Sequence, residues 1–182
     1  MKLAKPFFIG FLGLIVFALL LPTFFPKTFH LQRQIDINAS DTTIFNNIVN
    51  LKKFSQWSVW YQTEKETNIK FFGEDGWEKS QFNWSGREVG EGSLQIKNAQ
   101  KYTFIKMLYS FYKPWEFKSD MDFIIQKKDE QTYTVIWKNY GYLNYFLRYA
   151  TMKYNGKDVF EERAGKDFED GLSALKKMCE TK

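Results

Sequence analysis

The hydrophobic and polar residues of this chain follow three different patterns in three consecutive regions. Residues 7–25 are free of charge, residues 69–139 mostly alternate between apolar and polar, and apolar residues then recur at spacings of three and four from Val159 to Met178. These patterns predict, in order, an apolar helix, a series of strands, and one long amphipathic helix over residues 157–182.

The uncharged segment 7–25 is typical of a transmembrane helix. At about 1.5 Å rise per residue it nearly spans a hydrocarbon core of ~30 Å. A cleaved signal peptide is the competing interpretation, but its apolar region would be shorter, and the segment here ends in Leu-Pro-Thr-Phe-Phe-Pro rather than at a small-residue cleavage site. We therefore predict an uncleaved membrane anchor in residues 1–26.

The charges beside this segment predict its orientation. Lys2 and Lys5 precede it without any acidic residue, which favours a cytoplasmic N-terminus, although Lys27 and Arg33 on the other side weaken this asymmetry. We expect a single-pass protein of the cell membrane, with residues 27–182 forming one domain on the periplasmic or extracellular side.

Short elements are predicted immediately after the anchor. Residues 29–38 alternate as a strand with one buried face, and Arg33 shares the apolar side of that strand. Ser40 or Asp41 can cap a short helix, and a second short helix or turn is expected over residues 51–57.

The middle of the chain predicts six more strands, separated by turn residues. They are expected at residues 69–73, 80–85, 92–99, 102–112, 115–127 and 131–139. Together with the first strand and the long helix they predict an α+β fold in which a curved seven-stranded antiparallel sheet surrounds a C-terminal helix. Because a strongly bent sheet cannot contact the helix along its whole length, we expect a hollow between them.

Four groups of residues resemble the START/SRPBCC superfamily, in particular its membrane-anchored, polyketide cyclase/dehydratase-like branch. They are RQIDINA at 33–39 with IF at 44–45, FSQWSVW at 54–60, FNWSG at 82–86 with VGEGSL at 89–94, and GKDFEDGL at 165–172. The resemblance covers about residues 28–180. It implies the helix-grip (START-like) fold and an internal cavity that accepts hydrophobic or lipid-like molecules, with no shared catalytic residues.

Aromatic residues are abundant, with 19 Phe, 10 Tyr and 6 Trp. Several come from different predicted elements yet are expected to face the same hollow, as the lining of an apolar ligand site would. The predicted ligand-binding residues are Arg33, Trp57, Trp60, Trp84, Tyr109, Met121, Phe123, Tyr133, Trp137 and Phe168. Ordinary core packing by the same rings is the alternative.

Arg33 is the charged member of this set. If it points inward, it needs a carboxylate partner or an anionic group of a ligand, since burying an unpaired charge costs several kcal/mol. Glu78, Glu88 and Glu91 are candidate partners. In the alternative, its charged head reaches water at the strand end.

The segment 142–152 joins the last predicted strand to the long helix and is rich in aromatic residues. It is a candidate lid over the cavity, through Tyr142, Tyr145, Phe146 and Tyr149. Alternatively, the same face covers the core from above or, if turned outward, contacts the bilayer.

Other chemistry is poorly supported. His30 is the only histidine and lies on the polar side of its strand, so no metal site or histidine-dependent catalytic site is predicted. Gly90-Glu-Gly92 lacks the spacing of a phosphate-binding loop, and no cofactor is predicted. A net charge of +5, spread over many elements, argues against nucleic-acid binding.

The sequence therefore predicts a membrane-tethered protein that binds a hydrophobic small molecule or lipid. A cyclase, dehydratase or hydrolase using Arg33 with Tyr109 or Tyr133 is one alternative. A protein-interaction module that docks through residues 140–154 is the other.

Overall fold

The computed structural model describes residues 4–61, 67–113, 116–152 and 164–181. Helix α1 (Ala4–Leu20) continues into a 3₁₀ turn, Leu21–Phe24. The 18 residues Phe7–Phe24 are long and apolar enough to cross a membrane, and few of them are buried against the rest of the protein. Helix α1 therefore projects away from the domain, with apolar side chains on all sides.

The chain enters the domain through strand β1 (Thr28–Ile37), followed by α2 (Asp41–Val49), α3 (Leu51–Trp57) and a 3₁₀ turn at Val59–Tyr61. Both short helices are capped as their sequences favour. The Ser40 hydroxyl accepts a hydrogen bond from the Thr43 amide at 3.1 Å, and the Asn50 side-chain oxygen accepts one from the Lys53 amide at 2.8 Å.

Six further strands follow: β2 (Asn68–Phe72), β3 (Gln81–Gly86), β4 (Gly90–Gln100), β5 (Phe104–Lys113), β6 (Phe117–Lys127) and β7 (Tyr133–Tyr142). All seven form one antiparallel sheet in the order β1-β7-β6-β5-β4-β3-β2. Helix α4 (Tyr145–Met152) and helix α5 (Gly165–Glu180) follow, and α5 packs against β1, α2 and α3.

The alternation predicted for the longest strand is confirmed. In β6, Ser119, Met121, Phe123 and Ile125 are buried, whereas the residues between them are partly exposed. The buried face is covered by α2, α3 and α5, so the core lies on one side of the sheet. The curved antiparallel sheet with its C-terminal helix is the predicted helix-grip arrangement.

The observed ends differ slightly from the predicted ones. Strand β7 runs to Tyr142, three residues beyond the predicted end, because its last three residues pair with Thr28–His30 of β1. Helix α5 is observed from Gly165. The part of the long helix predicted over residues 157–163 lies outside the described residues, as does Trp115 at the predicted start of β6.

Candidate functional site

The register of the sheet places the aromatic residues of its buried face in adjacent positions. Tyr109 of β5 lies opposite Leu94 of β4, and Phe111 lies opposite Gly92, which in turn pairs with Trp84 of β3. The rings of Trp84 and Tyr109 are stacked, with centroids 5.0 Å apart. One end of the buried face is therefore a continuous aromatic wall.

Gly92 makes this wall possible, because the Trp84 ring lies directly on its backbone. A Cβ atom at this position would meet Trp84 Cζ2 at 2.1 Å and the Ser110 carbonyl oxygen at 2.5 Å. The Trp84 indole nitrogen also donates to the Val89 carbonyl oxygen at 3.3 Å. The orientation of Trp84 is thus fixed by both the strand beneath it and the turn beside it.

Farther along the sheet, α5 packs tightly against the same face. Phe168 stacks on Trp137 with centroids 3.9 Å apart and an interplanar angle of 16°. Trp57 and Phe123 meet Trp137 as well, at 5.7 and 5.0 Å. Gly171 lets the helix approach, since a Cβ there would lie 3.2 Å from Trp137. The sheet and helix are in full contact here.

The contact is lost at the N-terminal end of α5, where a cavity of about 380 Å³ opens between sheet and helix. Ala164, the residue that precedes α5, lines the cavity with only a methyl group. The cavity is lined mainly by aromatic side chains, with few polar groups; the described lining residues are Trp60, Tyr61, Trp84, Glu88, Val89, Tyr109, Phe111, Phe117, Asn139 and Ala164.

Two of the lining residues carry a buried polar atom with no hydrogen-bond partner among the described residues, Tyr61 Oη and Asn139 Oδ1. The Tyr61 hydroxyl lies near that of Tyr109 without meeting hydrogen-bond geometry. Each such atom costs about 1–3 kcal/mol unless something supplies the missing hydrogen bond. A ligand with a polar group can supply it.

Both cavity tyrosines are neutral phenols at physiological pH. Burial raises the pKa of Tyr61 well above its usual value of 10.0, and the neighbouring Tyr109 adds to this shift. Burial also raises the pKa of Tyr109. Their hydroxyl groups can donate and accept hydrogen bonds but cannot serve as bases.

Arg33 points toward α5 rather than into the cavity. Its Nε donates to Glu169 Oε1 at 2.7 Å and its Nη1 donates to the Gln32 carbonyl oxygen at 2.9 Å. The guanidinium also fills the space beside Gly165, where a Cβ would lie 2.4 Å from Nη2. The sequence analysis suggested Glu78, Glu88 or Glu91 as the acidic partner of Arg33. Among the described residues that partner is instead Glu169, which is 136 residues away in sequence.

Of the ten predicted ligand-binding residues, three line the cavity: Trp60, Trp84 and Tyr109. Five others are packed in the core instead, namely Trp57, Met121, Phe123, Trp137 and Phe168. Tyr133 faces the same side but lies at the far end of β7, opposite Ile37, and Arg33 is bound to Glu169. The sequence analysis grouped these rings around one hollow without distinguishing those packed in the core from those that border the cavity.

The prediction missed several lining residues, including Tyr61, Phe111, Phe117 and Asn139. Phe111 and Phe117 share the side of Tyr109 and Met121 in the alternating pattern, so strand parity could have found them. Asn139 is a polar residue on the apolar side of β7, two positions after Trp137, and that exception was a usable signal.

The four predicted lid residues lie outside the described lining of the cavity. Tyr142, Phe146 and Tyr149 are 81 %, 69 % and 51 % exposed. Tyr145 instead donates a hydrogen bond from its hydroxyl to the Leu19 carbonyl oxygen at 2.5 Å. Among the described parts of this segment, the side chain that is buried is Leu143.

The parts of the chain that the structure describes contain no candidate metal site. No group of three or more His, Cys, Asp or Glu side chains comes together there. His30 is exposed on β1, and Cys179 is buried in α5, where its sulfur accepts a hydrogen bond from the Asn47 amide at 3.3 Å.

Comparisons with known proteins support the fold alone. No protein-family model matches the chain, and no curated protein matches it. Among solved structures, truncated norcoclaurine synthase from Thalictrum flavum is similar, with a TM-score of 0.61 and 9 % identity over 85 % of this chain and 96 % of that one.

The same enzyme in complex with dopamine and hydroxybenzaldehyde gives a TM-score of 0.59 at 8 % identity, over 83 % of this chain and 86 % of that one. The Aha1 dimer from Colwellia psychrerythraea gives 0.57 at 12 % identity, over 84 % and 96 %. These likenesses show that the chain has a START-like helix-grip fold.

Proposed function

We propose that this protein is tethered to a membrane by α1 and holds one small hydrophobic molecule in the cavity between the sheet and α5. The observation that carries the proposal is the aromatic cavity itself, which is open although the rest of the interface between sheet and helix is closely packed. An apolar concave site with a few convergent polar groups is the usual form of a small-molecule binding site.

The size and the lining of the cavity limit the class of ligand that it can bind. Its volume of about 380 Å³ lies near the lower end of the usual range of roughly 300–1,000 Å³, so it suits a compact molecule or a short single chain. The stacked rings of Trp84 and Tyr109 favour a flat apolar surface. The unpaired Tyr61 Oη and Asn139 Oδ1 favour a ligand that also bears a polar group with a hydrogen to donate.

The catalytic alternative lacks the arrangement it requires. It needs Arg33 together with Tyr109 or Tyr133, but Arg33 is bound to Glu169 and Tyr133 lies at the opposite end of the sheet. Norcoclaurine synthase, which shares the fold, is complexed with dopamine and hydroxybenzaldehyde in one structure. That complex supports aromatic small molecules as a ligand class for this fold, and we extend the class, without the reaction, to this chain.

Membrane attachment gives such a ligand a route into the cavity. Phe117 lines the cavity, and its ring lies 5.4 Å from that of Phe29, the second residue of β1. The cavity is thus at the end of the sheet that continues into α1. We propose, from Lys2 and Lys5 ahead of the uncharged segment 7–25, that the N-terminus is cytoplasmic and the domain lies on the periplasmic or extracellular side of the membrane.

Two alanines provide a matched test, Ala164 immediately before α5 and Ala174 within it. Ala164→Leu adds three carbon atoms to the cavity wall, whereas Ala174→Leu adds the same atoms to a partly buried position that does not line the cavity. The full chain would be purified in detergent from its host membrane. Its organic extract would be analysed by mass spectrometry, and its binding of the apolar dye N-phenyl-1-naphthylamine would be titrated by fluorescence.

We expect the unmodified chain and the Ala174→Leu variant to retain the same compound and bind the dye, and Ala164→Leu to lose both. Circular dichroism would establish that each variant is folded. Equal retention by the two variants would place the ligand outside the cavity. If the unmodified chain neither retains a compound nor binds dye, the proposal is wrong, and a docking role without a ligand takes its place.

A further inference from the structure

Helix α4 is attached to the end of α1 rather than to the cavity. It packs against the turn Leu21–Phe24, where Pro22 is buried. The Tyr145 hydroxyl donates to the Leu19 carbonyl oxygen at 2.5 Å, and the Leu143 amide donates to the Lys27 carbonyl oxygen at 2.8 Å. The position of α4 relative to the apolar helix is therefore fixed on both sides of the turn.

The surface around this attachment is strongly apolar. Four exposed aromatic side chains lie on α4 and the segments beside it, and we call them the aromatic patch: Phe24 (80 % exposed), Tyr142 (81 %), Phe146 (69 %) and Tyr149 (51 %). Phe146 and Tyr149 are three positions apart and lie on one side of α4. Arg148 is the one charged residue between positions 142 and 152. A soluble surface rarely exposes such a group of rings without a partner.

We infer that the aromatic patch lies in the interfacial layer of the bilayer and holds the domain in a fixed orientation on the lipid surface. This inference rests on the proposed membrane attachment of α1. If α1 spans the membrane, Leu19 is about 9.5 Å below Phe24 along the helix axis, at ~1.5 Å per residue in α1 and ~2.0 Å per residue in the 3₁₀ turn. Tyr145 contacts the Leu19 carbonyl oxygen, so α4 lies at the depth of the last turn of the span.

The chemistry of the patch fits that depth. Tyrosine rings prefer the boundary between hydrocarbon and headgroups, where the ring is in an apolar environment and the hydroxyl is hydrated. A short helix with exposed aromatic residues and a single charge is suited to lie in the plane of that boundary. The aromatic patch continues the apolar surface of α1, so the bilayer that surrounds α1 would also cover the patch.

A fixed orientation has a consequence for the cavity. Asn144, next to α4, donates from its side-chain amide to the Glu116 carbonyl oxygen at 3.2 Å, and the adjacent Phe117 lines the cavity. With the patch in the interface, the open end of the domain stays beside the lipid. A flexible tether alone would let the domain rotate, and its cavity would face lipid only part of the time.

Spin labels in the full chain can measure the depth of the patch. The lone cysteine would be removed by Cys179→Ser, and single labels would be attached through Phe146→Cys, Tyr149→Cys or Glu130→Cys. Glu130 is the control, because it is exposed in the turn between β6 and β7, at the end of the sheet away from α1. The labelled chains would be reconstituted in vesicles of phosphatidylcholine and phosphatidylglycerol.

We expect labels at 146 and 149 to collide more with oxygen, which concentrates in lipid, than with a water-soluble nickel chelate, and the label at 130 to show the reverse. Nickel accessibility at 146 and 149 equal to that at 130 would overturn the inference. Low access to both reagents at 146 and 149 would also overturn it, because it would indicate a protein partner.

Alkaline carbonate extraction separates this outcome from failure of the proposed function. If the chain remains with the vesicles while positions 146 and 149 are in water, the tether stands and only the orientation is wrong. If the chain is released into the supernatant, both the tether and the orientation are wrong. Binding of the apolar dye to the cavity is measured independently in detergent.

Discussion

The two halves of the interface between the sheet and α5 are built from the same kinds of residue but differ in packing. In one half, Phe168 lies flat on Trp137 with ring centroids 3.9 Å apart, and both side chains are buried. In the other half, Trp84, Tyr109 and Phe111 form an equally aromatic surface, but a cavity of about 380 Å³ separates them from the helix. Aromatic content alone therefore does not decide whether such an interface binds a ligand.

The difference comes from the helix rather than the sheet. Over its last turns α5 carries Leu172, Leu175 and Cys179 toward the core, and Gly171 allows close approach. At its N-terminal end Ala164 lines the cavity with only a methyl group, and the first large apolar side chain that α5 directs at the core is Phe168. A bent sheet and a straight rod can stay in contact only where side chains fill the increasing distance.

The polar contacts show the same asymmetry. At the packed end, Lys176 donates to the Asp36 carbonyl oxygen at 2.7 Å and Glu180 accepts from the Asn38 amide at 2.7 Å, so the helix is bonded directly to the backbone of β1. At the open end, the bonds seen among the described residues join side chains, Arg33 to Glu169 and Trp60 to Asp167. The open end is the half in which adjustment to a ligand costs less.

The largest effect that distinguishes the halves is expected from truncating one ring in each. Phe168→Ala should destabilise the protein by about 3–5 kcal/mol, because it leaves a cavity in a filled core. Phe111→Ala should cost only about 1 kcal/mol, since this ring is half-buried and already borders open space. Urea unfolding of the detergent-solubilised, ligand-free chain, followed by near-ultraviolet circular dichroism, measures both.

The two variants should rank in the opposite order for dye binding. Phe111→Ala removes part of the cavity wall and should weaken binding of the apolar dye in the folded protein more than Phe168→Ala does. Equal unfolding costs for the two variants would show that the cavity is closed in solution. The division of the interface into a packed and an open half would then be wrong.

A smaller effect, opposite in sign, is expected at the unpaired hydroxyl of the cavity. Tyr61→Phe removes a buried oxygen that has no hydrogen-bond partner among the described residues, and should stabilise the ligand-free protein by about 1 kcal/mol. If that hydroxyl bonds to the ligand, the same variant should bind the retained compound about tenfold more weakly, which corresponds to about 1.4 kcal/mol.

Tyr102→Phe is the control, because Tyr102 is partly exposed in the turn between β4 and β5 and does not line the cavity. It should change neither stability nor binding. Thermal unfolding with and without the compound measures both quantities for the two variants. A Tyr61→Phe variant that is less stable and binds unchanged would mean that the hydroxyl has a structural partner.

The sequence predicted the elements well because each depends on local information. The alternation in β6 and the Ser40 cap of α2 are properties of a few neighbouring residues, and both are present as expected. The order of elements then restricted the fold to a sheet covered by a C-terminal helix. Trp60, Trp84 and Tyr109, which the sequence analysis assigned to the hollow, line the observed cavity.

The sequence could not locate the cavity on that face, because this depends on distances between elements far apart in the chain. Trp57 and Trp60 are only three residues apart, yet one is buried among rings and the other lines the cavity. The partner of Arg33 was missed for the same reason. Only the placement of α5 across β1 brings Glu169 to it, and no local pattern encodes that crossing.

The smallest effect tests whether Arg33 belongs to the helix contact or to the ligand site. Glu169 is 60 % exposed and Arg33 24 %, so a double-mutant cycle with Arg33→Met and Glu169→Gln should give a coupling energy of only about 0.2–1 kcal/mol. This coupling should decrease as salt is added, because water and ions reach the pair.

Since the guanidinium is directed at α5 beside Gly165, Arg33→Met should also leave binding of the retained compound unchanged in the folded protein. Loss of that compound at unchanged stability would instead place the guanidinium on the ligand, and the open half would then extend to β1.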